Sequence, residues 1–241
     1  MNNLARFLWS IWAIPAFIFL TAFLGSMLCC LAYFKVSINY LDMLPKLWGR
    51  AILLCLGCRV KKYGLENLEP GKNYIFSSNH ISALDIPLLF AHLPVSIRWV
   101  AKKELFSIPI LGKSMAFLKN ISIDRSNRRA AMQALEAAAK QIQEGANVVI
   151  FPEGTRSLNG QMLPFKSGAF LLAIKAETPI IPIAIKGANI VWPAGKILMR
   201  PATVELRVGK PIPVADAKQN EREKLSLKVR ETMEELQNKT Y

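Results

Sequence analysis

Histidine is almost missing from this sequence. The 241 residues include two, His80 and His92, which excludes a metal centre built on several imidazoles. Acidic side chains are also few, 17 Asp and Glu against 31 Lys and Arg. The resulting charge of +14 points to a polyanionic partner: nucleic acid, a phosphorylated substrate or an anionic bilayer. The four cysteines, Cys29, Cys30, Cys55 and Cys58, all fall in the first quarter of the chain, so the rest has no possible disulfide framework, as suits a body facing the cytosol. Cys55 and Cys58 lack a second pair or a neighbouring histidine, which argues against a zinc site. Several reactive-loop signatures are absent too. There is no Gly-x-Ser-x-Gly elbow for a serine nucleophile, no Gly-x-x-x-x-Gly-Lys loop for a nucleoside triphosphate, no Gly-x-Gly-x-x-Gly turn for a dinucleotide and no His-Glu-x-x-His helix for zinc. The basic residues form neither a recognition-helix cluster nor an aromatic ribonucleoprotein motif, which argues against nucleic acid as the partner.

Charge is missing altogether between Arg6 and Lys35. Residues 7–34 form a neutral stretch rich in Leu, Ile, Phe, Trp and Ala, long enough as a helix to cross a hydrocarbon core of roughly 30 Å. Pro15 and Gly25 interrupt it, and a cleaved signal peptide fits less well because the apolar run is too long and no Ala-x-Ala site comes after it. A second apolar segment, residues 41–57, places Asp42, Lys46 and Arg50 every four residues along one helix face. Leu44, Leu47, Trp48, Ala51, Leu54 and Cys55 lie on the other, a pattern suited to the membrane interface or to packing on a soluble body. Arg50, Arg59, Lys61 and Lys62 crowd the carboxyl side of this block and place the remainder of the chain in the cytoplasm. The expected organisation is therefore membrane-anchoring helices over residues 1–60 and a soluble domain over residues 61–241.

From Gly64 onward short apolar runs alternate with amphipathic stretches, the pattern of an α/β fold. Strands are expected at residues 74–77, 97–100, 120–123, 147–151, 180–185 and 203–208. Helices are expected at residues 128–144, 165–176 and 221–237, the first capped by Ser126 and closed by Gly145. The order strand, helix, strand around residues 128–144 predicts a parallel crossover.

Three segments carry chemistry. Ser78-Asn79-His80-Ile81-Ser82-Ala83-Leu84-Asp85 comes directly after the first of these strands and sets an imidazole and a carboxylate five residues apart across a turn. Such a pair can take a proton from a hydroxyl, although Ser82-x-x-Asp85 is equally a helix-capping spacing. His92 has no acidic partner close in sequence and reads as structural. Phe151-Pro152-Glu153-Gly154-Thr155-Arg156-Ser157 combines a glycine for close approach, hydroxyls, and an arginine fork matched to phosphate oxygens, so it reads either as an anion cradle or as a plain turn. Lys102 and Lys103, with Arg125 after the next strand, either complete a phosphate or nucleotide site or form a solvated basic face. A histidine base with no nucleophile of its own must activate one on the substrate. If that hydroxyl attacks an already activated thioester, neither metal nor ATP is needed.

In order along the chain, these segments resemble the motifs of the glycerolipid acyltransferases. His80 to Asp85 is similar to their His-x4-Asp signature, and Lys102-x-Glu104-Leu105 with Pro109 and Gly112 to their second block. Residues 151–157 are similar to the third, and Pro179 to Ile183 to the fourth, with Ile180-Ile181-Pro182 where Val-Pro-Val is common. Within that family the likeness is to the bacterial 1-acyl-sn-glycerol-3-phosphate acyltransferases. The resemblance implies a mixed, largely parallel sheet flanked by helices, with an amino-terminal two-helix motif associated with the membrane. It implies that His80 takes the proton from the glycerol hydroxyl, that Asp85 orients and charges it, and that Glu153, Gly154, Thr155 and Arg156 hold the phosphate. Asn79, Lys102 and Arg125 join them as substrate contacts. The implied co-substrate is acyl-CoA or the thioester of acyl carrier protein, with no metal and no other cofactor. The implied acceptor is lysophosphatidic acid in an anionic cytoplasmic membrane whose catalytic domain faces the cytoplasm. Two readings compete: an acyltransferase for another lysolipid or for glycerol-3-phosphate, and a membrane protein that grips phospholipid headgroups without turnover.

Overall fold

Successive residues of a strand point to opposite faces of a sheet, and here that alternation divides the apolar residues between two cores. The computed structural model describes residues 2–124, 126–214 and 219–239. The order is α1 (Asn3–Tyr33), α2 (Ile38–Leu41), α3 (Met43–Cys55), β1 (Arg59–Tyr63), β2 (Ile75–Ser78), α4 (Asp85–His92), β3 (Ile97–Lys102), α5 (Lys103–Phe106), α6 (Leu111–Phe117), β4 (Ile121–Ile123), α7 (Arg128–Gln143), β5 (Asn147–Ile150), α8 (Gly168–Ala176), β6 (Ile180–Lys186), α9 (Ala188–Val191), β7 (Thr203–Val208) and α10 (Arg222–Asn238). Among the described residues the seven strands form one sheet in the order β1-β7-β6-β2-β5-β3-β4, parallel except where β6 meets β7. Phe76, Val149, Ile181 and Ile183 face Ile52 and Leu53 of α3 and Leu88 and Leu89 of α4. Ile75, Val148, Ile150 and Ile180 face the other way, against Ile142 of α7, Phe170 and Leu172 of α8, and Val229 and Met233 of α10. The mixed, largely parallel sheet with flanking helices is the fold class expected from sequence, and β4, α7 and β5 make the expected parallel crossover, with β3 lying between the two strands.

Several boundaries differ for physical reasons. Residues 59–63 read in sequence as a basic flank; they form the edge strand β1, where the exposed Arg59, Lys61 and Lys62 discourage pairing with another chain. Helix α7 is capped by Asn127, whose Oδ1 accepts the Ala130 N–H at 3.1 Å, because Ser126 is taken by Asp124: its hydroxyl lies 2.6 Å from Oδ1. Helix α8 starts at Gly168 because the Lys166 N–H instead donates to the Pro152 carbonyl at 2.8 Å, closing a loop.

Helix α1 is 31 residues, about 46 Å at the usual helical rise, and is apolar all round. One stripe, including Ala13, Leu24 and Leu28, is buried in the protein. The opposite stripe, Leu4, Leu8, Ile11, Trp12, Phe19 and Phe23, is exposed. Helix α3 packs across α1 and α4, touching α4 through the face that has no side chain, at Gly49. That approach rotates α3 from the expected orientation: Leu44, Pro45, Ile52 and Leu53 turn inward, and Leu47 and Leu54 turn out. Asp42 is corrected more sharply. It does not share a solvated face with Lys46 and Arg50; it is buried and accepts from both Nη1 and Nη2 of Arg98, at 2.6 and 2.8 Å, fastening the start of α3 to β3.

Candidate active site

The end of β2 and the start of α4 bring the imidazole and the carboxylate together. His80 Nδ1 lies 2.7 Å from Asp85 Oδ2, and the same oxygen accepts the N–H groups of Ile81 at 2.8 Å and Ser82 at 2.9 Å. The amide contacts of a helix start and the contact to the imidazole thus converge on one oxygen of Asp85, at the amino-terminal residue of α4, where the helix dipole favours negative charge. An ionised carboxylate only accepts, so the hydrogen-bond network puts the imidazole proton on Nδ1 and leaves the Nε2 lone pair free. The ring stacks on Phe151 at 3.9 Å between centroids, and Phe151 stacks on Trp99.

Burial pushes the Asp85 carboxyl above its ordinary value, opposed by its hydrogen bond to His80, the charge of that ring and the amides of Ser82 and Ile81. Glu153 is also pushed up by burial, against the Leu163 and His80 amides that bond to it. A carboxyl raised on folding holds its proton more tightly in the folded state. Its stabilising share is complete below the unfolded value and is lost as pH rises through the folded value. Melting temperature measured from about pH 4 to about pH 7 should therefore fall less steeply in Asp85→Asn than in the parent. Parallel profiles would mean that Asp85 carries no such cost.

The second segment wraps the backbone of His80. After β5, Gly154 takes φ +74° and its N–H returns to the Phe151 carbonyl. Glu153 Oε1 accepts the His80 N–H at 2.8 Å, and the Ser157 N–H donates to the His80 carbonyl at 2.8 Å, so both backbone groups of the histidine are held by this loop. Glu153 Oε2 accepts the Leu163 N–H at 2.9 Å. Glu153 is therefore a buried brace under the loop, which corrects the expectation that it touches phosphate. Asn79 is corrected in the same way: it is fully buried, its amide donates to the Ile185 carbonyl at 2.9 Å and accepts the Ile185 N–H at 2.7 Å, tying β2 to β6.

His80, Lys102, Gly154, Thr155 and Arg156 do meet. They line one cavity of about 570 Å³, with Lys102, Thr155 and Arg156 exposed at its rim. Its interior is apolar, walled by Phe17, Leu24 and Leu28 of α1, Trp48 of α3, Phe90 of α4, Trp99 of β3 and Leu118 after α6. Lys103, next to Lys102, is instead paired with Asp124 at 2.5 Å. Arg125 lies outside the described residues. His92 sits half-buried at the far end of α4, where burial and the nearby Lys62 and Arg50 depress its pKa. Sequence reasoning missed Lys166, whose side chain lies across Gly154: a Cβ added there would come within 3.0 Å of its Cε. Its neighbours carry no motif; closure of the loop onto Pro152 is what brings it back. The share of the cavity wall supplied by α1 was equally hidden, because an anchor helix and a cavity helix are both simply apolar.

The Acyltransferase family model matches residues 59–186, from β1 to the end of β6, a span that holds every one of these rim and dyad residues. The chain belongs to the Acyltransferase family. Among its relatives, a 1-acyl-sn-glycerol-3-phosphate acyltransferase of Limnanthes douglasii is 35% identical over 169 residues, covering 70% of this chain and 59% of that protein. The enzyme of the same name from Saccharomyces cerevisiae is 36% identical over 184 residues, covering 75% of this chain and 60% of that one. A Chlamydomonas reinhardtii relative of that name is 40% identical over 157 residues, covering 64% and 47%. The chain thus spans between 47% and 60% of the length of these three relatives. The crystal structure of the 1-acyl-sn-glycerophosphate acyltransferase PlsC from Thermotoga maritima superposes over 100% of both chains with a TM-score of 0.83 at 24% identity, a likeness of fold. In this chain the helices α1–α3 and the segment from α9 through α10 lie outside the matched family region.

Proposed function

We propose that this acyltransferase moves a fatty acyl group from an acyl thioester, acyl-CoA or acyl carrier protein, to the sn-2 hydroxyl of 1-acyl-sn-glycerol-3-phosphate, giving phosphatidic acid. The observation that carries the reading is the His80–Asp85 dyad opening into an apolar cavity whose rim bears Arg156 and Lys102. His80 Nε2 takes the hydroxyl proton as the oxygen attacks the thioester carbonyl. Asp85 stabilises the imidazolium, the carbon–sulfur bond breaks, and the departing thiolate receives that proton. Alcohol and thioester become ester and thiol, with no outside oxidant or metal. Arg156 and Lys102 meet the phosphate, and the apolar interior takes a fatty chain.

The exposed stripe of α1, with Leu47 and Leu54 of α3, belongs in lipid, and Arg50 beside it belongs among anionic headgroups. We place the protein on the cytoplasmic face of the cytoplasmic membrane, where lysophosphatidate keeps its own tail in the bilayer. Sedimentation with anionic but not neutral vesicles would fit this placement, and indifference to vesicle charge would remove the headgroup contact.

The deciding experiment supplies purified protein with labelled acyl-CoA or acyl carrier protein thioester and a panel of acceptors. Phosphatidic acid is the expected product. Acylation of another lysolipid or of glycerol-3-phosphate would reassign the acceptor, and binding without turnover on every acceptor would leave only the headgroup-gripping role. Arg156→Lys keeps one charge and loses the fork, so the acceptor KM should rise about tenfold with a smaller change in kcat. An unchanged KM in steady-state assays would take Arg156 out of the phosphate site.

A further inference from the structure

The loop from Pro152 to Lys166 carries Thr155 and Arg156, and its return limb is gripped from outside the matched family region. Helix α10 is anchored in the core by Leu225, Val229 and Met233, which fixes where Arg230 emerges. Arg230 Nη1 donates to the Leu163 carbonyl at 2.8 Å and Nη2 to the Met162 carbonyl at 3.1 Å. Its Nε donates to Glu234 at 2.8 Å, and the guanidinium lies 5.4 Å over the ring of Phe165. The peptide joining Met162 to Leu163 therefore accepts from Arg230 at its oxygen and donates to Glu153 Oε2 at its nitrogen. The other oxygen of Glu153 holds the His80 N–H. A cation, a peptide, a carboxylate and the backbone of the catalytic histidine thus form one line, each bond polarising the next.

We propose that Arg230 is a positioning residue for acyl transfer: through the Met162–Leu163 peptide and Glu153 it sets the place of His80 and of the limb bearing Thr155 and Arg156. The fork spans two successive carbonyls, which a lysine ammonium does not reproduce. Glu153 is buried and its carboxyl is pushed up, so a polarised donor peptide is what keeps it able to accept from both sides.

The kinetic arm of the test rests on the acyl-transfer reading; the structural arm does not. Arg230→Met keeps the stem over Phe165 and removes the donors. Well below its melting temperature it should lower kcat about tenfold, because a small displacement of a reacting group carries costs of that order, with Arg230→Lys in between. The double variant Glu153→Gln with Arg230→Met should be no slower than Glu153→Gln alone, since both cut one line. Amide exchange at His80 and Leu163 should accelerate in Arg230→Met while β1 and β7 keep their protection. A lower melting temperature with unchanged kcat, additive losses in the double variant, or unchanged exchange at His80 would each overturn the proposal. Should Arg230→Met fail to fold, Arg230→Lys carries the same comparisons. If the parent transfers no acyl group to any acceptor, the functional reading fails, and exchange at His80 still decides the role of Arg230.

Discussion

His80→Ala is expected to lower kcat by a factor of about 10² to 10⁴, the usual range for loss of a general base, with the melting temperature close to that of the parent. The separation of the two readouts comes from how the residue is held. Its backbone N–H and carbonyl are bonded to Glu153 and Ser157, and neither bond needs the ring. The side chain is 15% exposed and reaches the rim of the cavity, so truncation opens space toward solvent and leaves the interior of the core filled. Phe151 loses a stacking partner and keeps Trp99. Asp85 loses one of three donors and retains the two amides. Turnover within a fewfold of the parent would mean that another group removes the hydroxyl proton.

Gly49→Val is expected to damage stability and activity together, although the residue lies outside the cavity lining. A Cβ at this position would stand 2.3 Å from the Pro87 carbonyl, 3.1 Å from the Ala91 nitrogen and 3.2 Å from the Ala91 Cβ. The obstructing atoms belong mostly to the backbone of α4, so relief requires the two helices to part. Overpacking of this kind costs about 1–3 kcal/mol, and Gly49→Ala should show a smaller part of it than Gly49→Val. Pro87 is two residues from Asp85, so a displaced α4 drags the carboxylate away from His80. Melting curves and kcat measured on both variants test the coupling. If melting and turnover are unchanged in Gly49→Val, the close approach of α3 to α4 is not as described.

What the sequence discloses here is what depends on neighbours along the chain. Short apolar runs mark β2, β5 and β6 because each face of these strands meets its own core, whereas β7 alternates, with Val204, Leu206 and Val208 on one core and Thr203, Glu205 and Arg207 on the other face. His80 and Asp85 are legible because a single turn brings them together. The segment 151–157 is legible as a unit, yet its members separate once the loop folds: Thr155 and Arg156 stay at the rim, whereas Glu153 turns underneath. A carboxylate in an anion loop reads as a ligand contact until its two amide partners, from residues 80 and 163, are known. Asn79 is hidden for the same reason, since Ile185 lies 106 positions away. β1 is concealed by its own charges, which suit an edge strand as well as a membrane flank, and only its register with residues 203–207 distinguishes the two. Asp42 shows the limit of helical periodicity: spacing assigns it to a face, and Arg98, on a distant strand, reassigns it to the interior.

Helix α1 presents one apolar stripe to the outside and lines the cavity with the other, through Phe17, Leu24 and Leu28. On the proposed function, tethering and substrate accommodation are therefore built into a single piece of chain. Amputating α1 is then expected not to yield a freely diffusing form of the same catalyst, because it would also breach the wall of the cavity proposed to take the hydrocarbon tail. Nor could a covalent lipid stand in for it: such a graft restores attachment to the bilayer and leaves the breach unsealed.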